Sequence, residues 1–160
     1  MTTVYMLDDD ETGRRAPRPL TVVAGPAPTV HVTVGAPHGR GGPDVFSLEA
    51  ERLWLPMLSP TGYLLLRRLL MVGATPDRTI RLDELSRQIG AGPNWAPNRS
   101  TIRNTLARMA HFQQIGYSPH GPVIRVFVRP DLPPLTDAQR SKYLTAELRD
   151  EYRQYMTSKK

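Results

Sequence analysis

The chain contains no cysteine, which excludes disulfide cross-links and thiolate metal sites. No secretory leader is expected, because the opening MTTVYMLDDDE is acidic and has no apolar core run. No stretch is apolar for long enough to cross a bilayer. The longest cluster, Leu64–Val72, is broken by Arg67 and Arg68. A soluble protein of the cytoplasm is therefore expected, with no membrane partner. Catalytic signatures are missing as well. There is no glycine-rich loop ending in Gly-Lys-Ser/Thr, no HExxH and no GxSxG, so an enzyme is not expected. His31, His38, His111 and His120 are widely spaced and have no carboxylates at ligand intervals, so neither a metal nor another cofactor is expected. The one acidic cluster, Asp8-Asp9-Asp10-Glu11, could hold a divalent cation, but at a flexible end it reads as a segment that is solvated or screens the protein's own basic face.

What is present divides the 160 residues by composition. Residues 1–43 hold 12 of the 28 glycines and prolines, around short β-branched runs at Thr21–Val23 and Thr29–Val34. The alternation in Val30-His31-Val32-Thr33-Val34 is that of a half-buried strand. This region is expected to be a flexible arm with one or two edge strands, partly disordered before Leu20. Its end, GAPHGRGGP (35–43), reads as a flexible joint. An edge strand there could add to the sheet of a protein partner. Residues 44–130 form the expected domain, and residues 131–160 a helical tail.

Within the domain, DVFSLEAERLWLPML (44–58) is a lead-in strand or helical turn whose Trp54 packs on the rest of the domain. Pro56 and Pro60 argue against a single helix through this point. Ser59 followed by Pro60 is an N-cap and first-turn proline, opening an apolar central helix to Gly73. Thr79–Leu82 fits a short strand. Asp83 opens a second helix, with Gly90 as its stop. After the loop AGPNWAPN (91–98), in which Trp95 is expected to pin the loop to the core, Asn98 caps a third helix over 98–113. Ile102, Leu106 and Met109 face inward there, and Gly116 ends it. The runs Ile115–Ser118 and Val123–Val128 form a hairpin over 115–129. Helix, short strand, helix, loop, helix and hairpin is the order of a winged helix-turn-helix, an α+β fold.

Charge then singles out one stretch. From Leu85 to Pro130 there is no Asp or Glu across 46 residues, yet six arginines are present. The remainder has 15 acids against 15 bases, so the whole net charge of +6 resides in that stretch. A surface that meets phosphates is expected to lack carboxylates, so double-stranded DNA is the expected partner. With Ile102, Leu106 and Met109 inward, the third helix turns Ser100, Asn104, Ala107, Arg108 and His111 outward, flanked by Thr101 and Arg103. Ser100, Arg103, Asn104 and Ala107 are the candidates to meet base edges in the major groove. Arg99, Thr101 and Arg108 suit phosphates. The wing tip carries His120 and is followed by Arg125 and Arg129, candidates for the minor groove or the DNA backbone. Strand alternation leaves open which face Arg125 takes.

The segment WLPMLSPTGYLLLRRL (54–69) resembles the opening of small winged-helix proteins of actinomycetes and their mobile elements, bacteriophages included. In these a W-L-P-x-L-[GS]-P-T run leads into the first helix. The tail VFVRPDLPPLTDAQRSKYLTAELRDEY (126–152) is similar to theirs, with a proline-rich exit and then a helix. The resemblance spans residues 53–152 and implies DNA binding with a regulatory role, in the nucleoid of a bacterial cytoplasm. Eighteen of the 21 basic residues are arginine, which suits a GC-rich genome. In the tail, Leu148, Tyr152 and Tyr155 recur at helical spacing. They serve either a homodimer that reads two half-sites or a helix folded back on its own domain. Alternatives to a transcriptional regulator are a DNA-binding component of replication, partition or phage packaging, and a winged-helix module that binds the transcription machinery.

Overall fold

A computed structural model describes the backbone of residues 3–9 and 15–21, and residues 25–96, 100–119 and 122–159 in full. Strands β1 (Thr3–Asp9) and β2 (Arg15–Thr21) pair antiparallel, Thr3 facing Thr21 and Asp9 facing Arg15. Pro17 and Pro19, two residues apart, place both missing N–H groups on the same edge of β2, where an edge strand tolerates them. Val22 and Val23 lie outside the described residues.

Strand β3 (Thr29–Val34) has the expected bounds but not the expected position. It is an interior strand. Along one side it pairs antiparallel with β4 (Thr79–Arg81), and along the other it runs parallel to β6 (Val123–Val128). Strand β5 (Ile115–Ser118) closes the hairpin with β6, giving a four-stranded mixed sheet in the order β4-β3-β6-β5. Val30 and Val32 are both 0% exposed. The alternating valines thus sit in the middle of the sheet's inner face, beside Ile124 and Val126 of β6. The reading of Thr29–Val34 as an edge strand of an arm is corrected accordingly.

Helix α1 (Leu55–Gly73) covers the inner face and is preceded by a wide π turn, Ala50–Trp54. That widened turn lets the helical path pass through Pro56, which cannot donate to the preceding turn. The path breaks three residues later. Ser59 takes φ 67°, ψ 158°, and its Oγ accepts from the Gly62 N–H at 3.4 Å, a true N-cap for the apolar segment beyond it. Leu65, Leu66 and Leu69 are fully or almost fully buried, whereas Leu64 and Met71 face solvent. Helices α2 (Leu82–Gln88) and α3 (Thr101–His111) follow, and both pack on the same core. Gly90, at φ 74°, stops α2 as expected. Gln113, not Gly116, stops α3: it adopts φ 59°, and the next N–H, of Gln114, reaches back to the Met109 carbonyl. Gly116 instead lies in β5, facing Phe127.

The glycine-rich joint at 35–43 is pinned to the protein. The Gly35 N–H donates to the Val128 carbonyl, and the Leu132 N–H donates to the Pro43 carbonyl. The Asp131 carboxylate accepts from the N–H groups of His38, at 2.6 Å, and Gly39, at 3.2 Å. Gly35 and Gly42 serve close approach: a Cβ on Gly35 would lie 2.2 Å from the Phe127 ring, and one on Gly42 1.6 Å from the Leu132 carbonyl oxygen. Because that oxygen belongs to backbone and cannot swing aside, Gly42→Ala should cost about 3 kcal/mol through overpacking. Urea unfolding of the variant checks this, and a midpoint equal to wild type would show that the contact can relax.

Two short helices, α4 (Asp137–Tyr143) and α5 (Ala146–Ser158), complete the fold, and α5 folds back on the domain. Tyr152 is buried against Trp54, ring centroids 5.3 Å apart, and Tyr155 meets the same indole at 6.3 Å. The Trp54 indole N–H donates to the Pro133 carbonyl at 3.0 Å, and the Tyr152 hydroxyl accepts from the Leu135 N–H at 2.9 Å. The apolar stripe of α5 is thereby occupied within the chain, so pairing of two chains through it would first require Tyr152 to leave the core. Residues from Val30 to Tyr152 contribute to one hydrophobic cluster.

Candidate nucleic-acid interface

Helix α3 presents its two faces as the sequence predicts. Ile102, Leu106 and Met109 are 0% exposed, while Thr101, Asn104, Ala107, Arg108 and His111 are exposed. Spacings of three and four residues bring these five onto one side of the helix. Asn98, Arg99 and His120, named from the sequence as a cap and as DNA contacts, lie outside the described residues.

Ser100 is a correction. It is 6% exposed and is itself the N-cap of α3. Its Oγ accepts from the Arg103 N–H at 3.4 Å and donates to the Trp95 carbonyl at 3.3 Å. A hydroxyl used in this way holds the helix start in place, and its burial keeps it from a base edge. Ser100→Ala should lower stability by about 1 kcal/mol. Its DNA affinity, measured at a temperature where the variant is fully folded, should equal that of wild type.

Three arginines are tied down by the fold. The Arg103 Nε donates to the Trp95 carbonyl at 2.8 Å, so the partly buried Trp95 fastens its loop both by packing and through its backbone. Burial raises the pKa of the neighbouring Tyr117 hydroxyl, and the positive charge of Arg103 pulls it the other way. An Arg108 amino group donates to the Met57 carbonyl at 2.8 Å, and the guanidinium lies 5.5 Å from the Phe112 ring centroid. At the base of the hairpin an Arg129 amino group donates to the Ala36 carbonyl at 2.7 Å, with the cation over Phe127. Arg129 is thus held at the arm, away from the wing tip. Each guanidinium keeps further donors after one bond, so these contacts orient the cations without using them up.

Arg125 differs from these. In β6 the residues alternate, with Ile124, Val126 and Val128 buried and Val123, Arg125 and Phe127 outward. Its place on the outer face, left open by the sequence, is therefore settled. It stands in a row with His31 of β3 and Ser118 of β5, and its guanidinium bonds to no described group. On α2, the buried Asp83 accepts two bonds from Arg81, at 3.0 and 2.9 Å, and lies 3.5 Å from Arg87. The first-turn carboxylate at the start of α2 is thereby neutralised. Sequence spacing alone does not show this, since a guanidinium on a flexible stem can reach several partners.

Among the described residues no group of three or more metal-ligating side chains comes together, and no helix is long and apolar enough to cross a membrane. The fold and the site define an α+β protein with an open four-stranded mixed sheet and a helix face free of carboxylates. Comparison with protein-family models, with curated proteins and with solved structures returned no match.

Proposed function

We propose that the chain is a winged helix-turn-helix protein that binds double-stranded DNA in a sequence-specific way, most simply as a transcriptional regulator. Helix α3 enters the major groove and the β5–β6 hairpin serves as the wing. The observation that carries this reading is the exposed face of α3, Thr101–Asn104–Ala107–Arg108–His111, within a 46-residue stretch without a single carboxylate. Asn104 offers the donor and acceptor pair that suits adenine, and the small Ala107 lets the helix lie close to the bases. Arg108, Arg125 and Thr101 meet phosphates. The setting is the nucleoid of a bacterial cell.

The test is a salt titration of binding to two duplexes, one from upstream of the gene and one scrambled. Wild type should show log K falling by about 0.9 per log unit of salt for each phosphate neutralised. Arg125→Ala should flatten that slope by about one on both duplexes. Asn104→Ala should lose about 1–3 kcal/mol on the specific duplex and little on the scrambled one. Equal losses on both would remove base reading, and no binding at low salt would remove the proposal. Steep binding without preference would point to a replication, partition or packaging site elsewhere in the genome.

A second reading is a module that meets an acidic protein surface. It is favoured by the bonds of Arg103, Arg108 and Arg129 to backbone carbonyls, which restrict their reach toward phosphates. It would give weak, sequence-indifferent DNA binding.

A further inference from the structure

We infer that a second site, built by the 39–41 turn and helix α5, binds a phosphorylated small molecule of about mononucleotide size. The two elements enclose a cleft of about 700 Å³, in the range of small-molecule pockets. Its lining brings together Arg40, Arg140, Arg153 and Lys159 from segments up to 119 positions apart, and it contains no carboxylate. Pro134, Tyr152 and Met156 supply an apolar floor.

The cations are not equivalent. Arg140 is a wall: it pairs with Asp137, donates to the Leu135 carbonyl and lies over the Tyr152 ring. Arg153 pairs with Asp150 at 2.5 Å, an exposed pair that a phosphate can replace at small cost. Lys159 rests on the Tyr155 ring, and Arg40 bonds to no described residue. The last three can therefore turn toward an anion.

The turn adds backbone donors. Gly39 and Gly41 have φ of 67° and 79°, with Arg40 between them. Such alternation points successive N–H groups into one concavity, a shape that receives oxyanions. The Gly39 N–H is taken by Asp131, while those of Arg40 and Gly41 donate to no described group. Met156 of α5 and Lys159, the residue that caps its end, stand against Gly41, the methionine methyl 3.8 Å from where a Cβ would be. Anion donors and apolar floor are thus adjacent. A bare phosphate would use only the first, and a mononucleotide would use both.

This site is independent of the DNA-binding reading. The experiment is an NMR titration of the full chain with AMP, inorganic phosphate and adenosine, following the Gly39 and Gly41 amides and the Met156 methyl. AMP should shift all three saturably below about 10 mM, phosphate the glycines alone, and adenosine none. The double variant Arg40→Ala, Arg153→Ala alters exposed side chains and should keep its thermal midpoint while binding AMP at least about tenfold more weakly. No saturable shift with AMP or phosphate would overturn the inference, as would undiminished binding by the double variant. A DNA duplex that shifts these resonances and is not displaced by AMP would also overturn it, making the cluster a contact to the DNA backbone.

Discussion

Val32→Asp should leave the chain unfolded in water at room temperature, with its strand and helix signals in far-ultraviolet circular dichroism lost together. Val32 is 0% exposed in a strand paired on both sides, to β6 and, through its N–H, to the Arg78 carbonyl. Its neighbours on the inner face are apolar, so a carboxylate there would have no partner. Burying such a group costs several kcal/mol, and a domain of this size has about 5–15 kcal/mol in total. The lost valine packing adds to that cost. Thr33→Asp is the control, because Thr33 is the next residue of the same strand and faces solvent. It should shift stability by no more than about 1 kcal/mol. If Val32→Asp melts within a few degrees of wild type, β3 is not an interior strand and residues 1–43 form an arm after all.

Trp54→Ala should cost about 3–5 kcal/mol, the range for removing a buried aromatic side chain. The indole is 0% exposed and forms the seat on which α5 rests. Its loss leaves a cavity beneath Tyr152 and deprives the Pro133 carbonyl of its donor. Two readouts separate local from global damage. Urea unfolding should shift to a lower midpoint, and amide exchange in α5 should quicken more than in α1 or β6. Exchange that quickens equally everywhere would show that α5 is integral to the global unit and not docked through Trp54. Tyr152→Phe, which removes only the acceptor for the Leu135 N–H, should cost about 1 kcal/mol.

Much of the local structure was legible because its causes are local. Alternating valines define β3, and Ile115–Ser118 and Val123–Val128 have the bounds read from their β-branched and aromatic content. The Ser59-Pro60 pair marks the break in α1 where a capping side chain and a residue without an N–H coincide. The inward stripe of α3 follows from its period alone. Errors arose where two local signals competed. Asn98 and Ser100 are both good caps by residue type, and Ser100 caps the helix. Gly116 looked like a helix stop, but Gln113 had already turned the chain.

The sequence by itself determined β3, the β5–β6 hairpin and the three central helices, which side of α3 is apolar, and that one long stretch carries no negative charge. These properties depend on spacing and side-chain type, which are complete at the level of a few turns. Only the tertiary structure decided that β3 lies between β4 and β6, since both edges of a strand offer the same hydrogen bonds and its side chains do not say which neighbours it finds. It alone decided that the glycines at 35–43 hold a joint closed, and that α5 spends its tyrosines on Trp54. The same is true of the arginines. A guanidinium at the end of a long flexible stem can reach water, a phosphate or a carbonyl, and for Arg103, Arg108 and Arg129 the carbonyls of Trp95, Met57 and Ala36 lie within that reach only once the chain has folded.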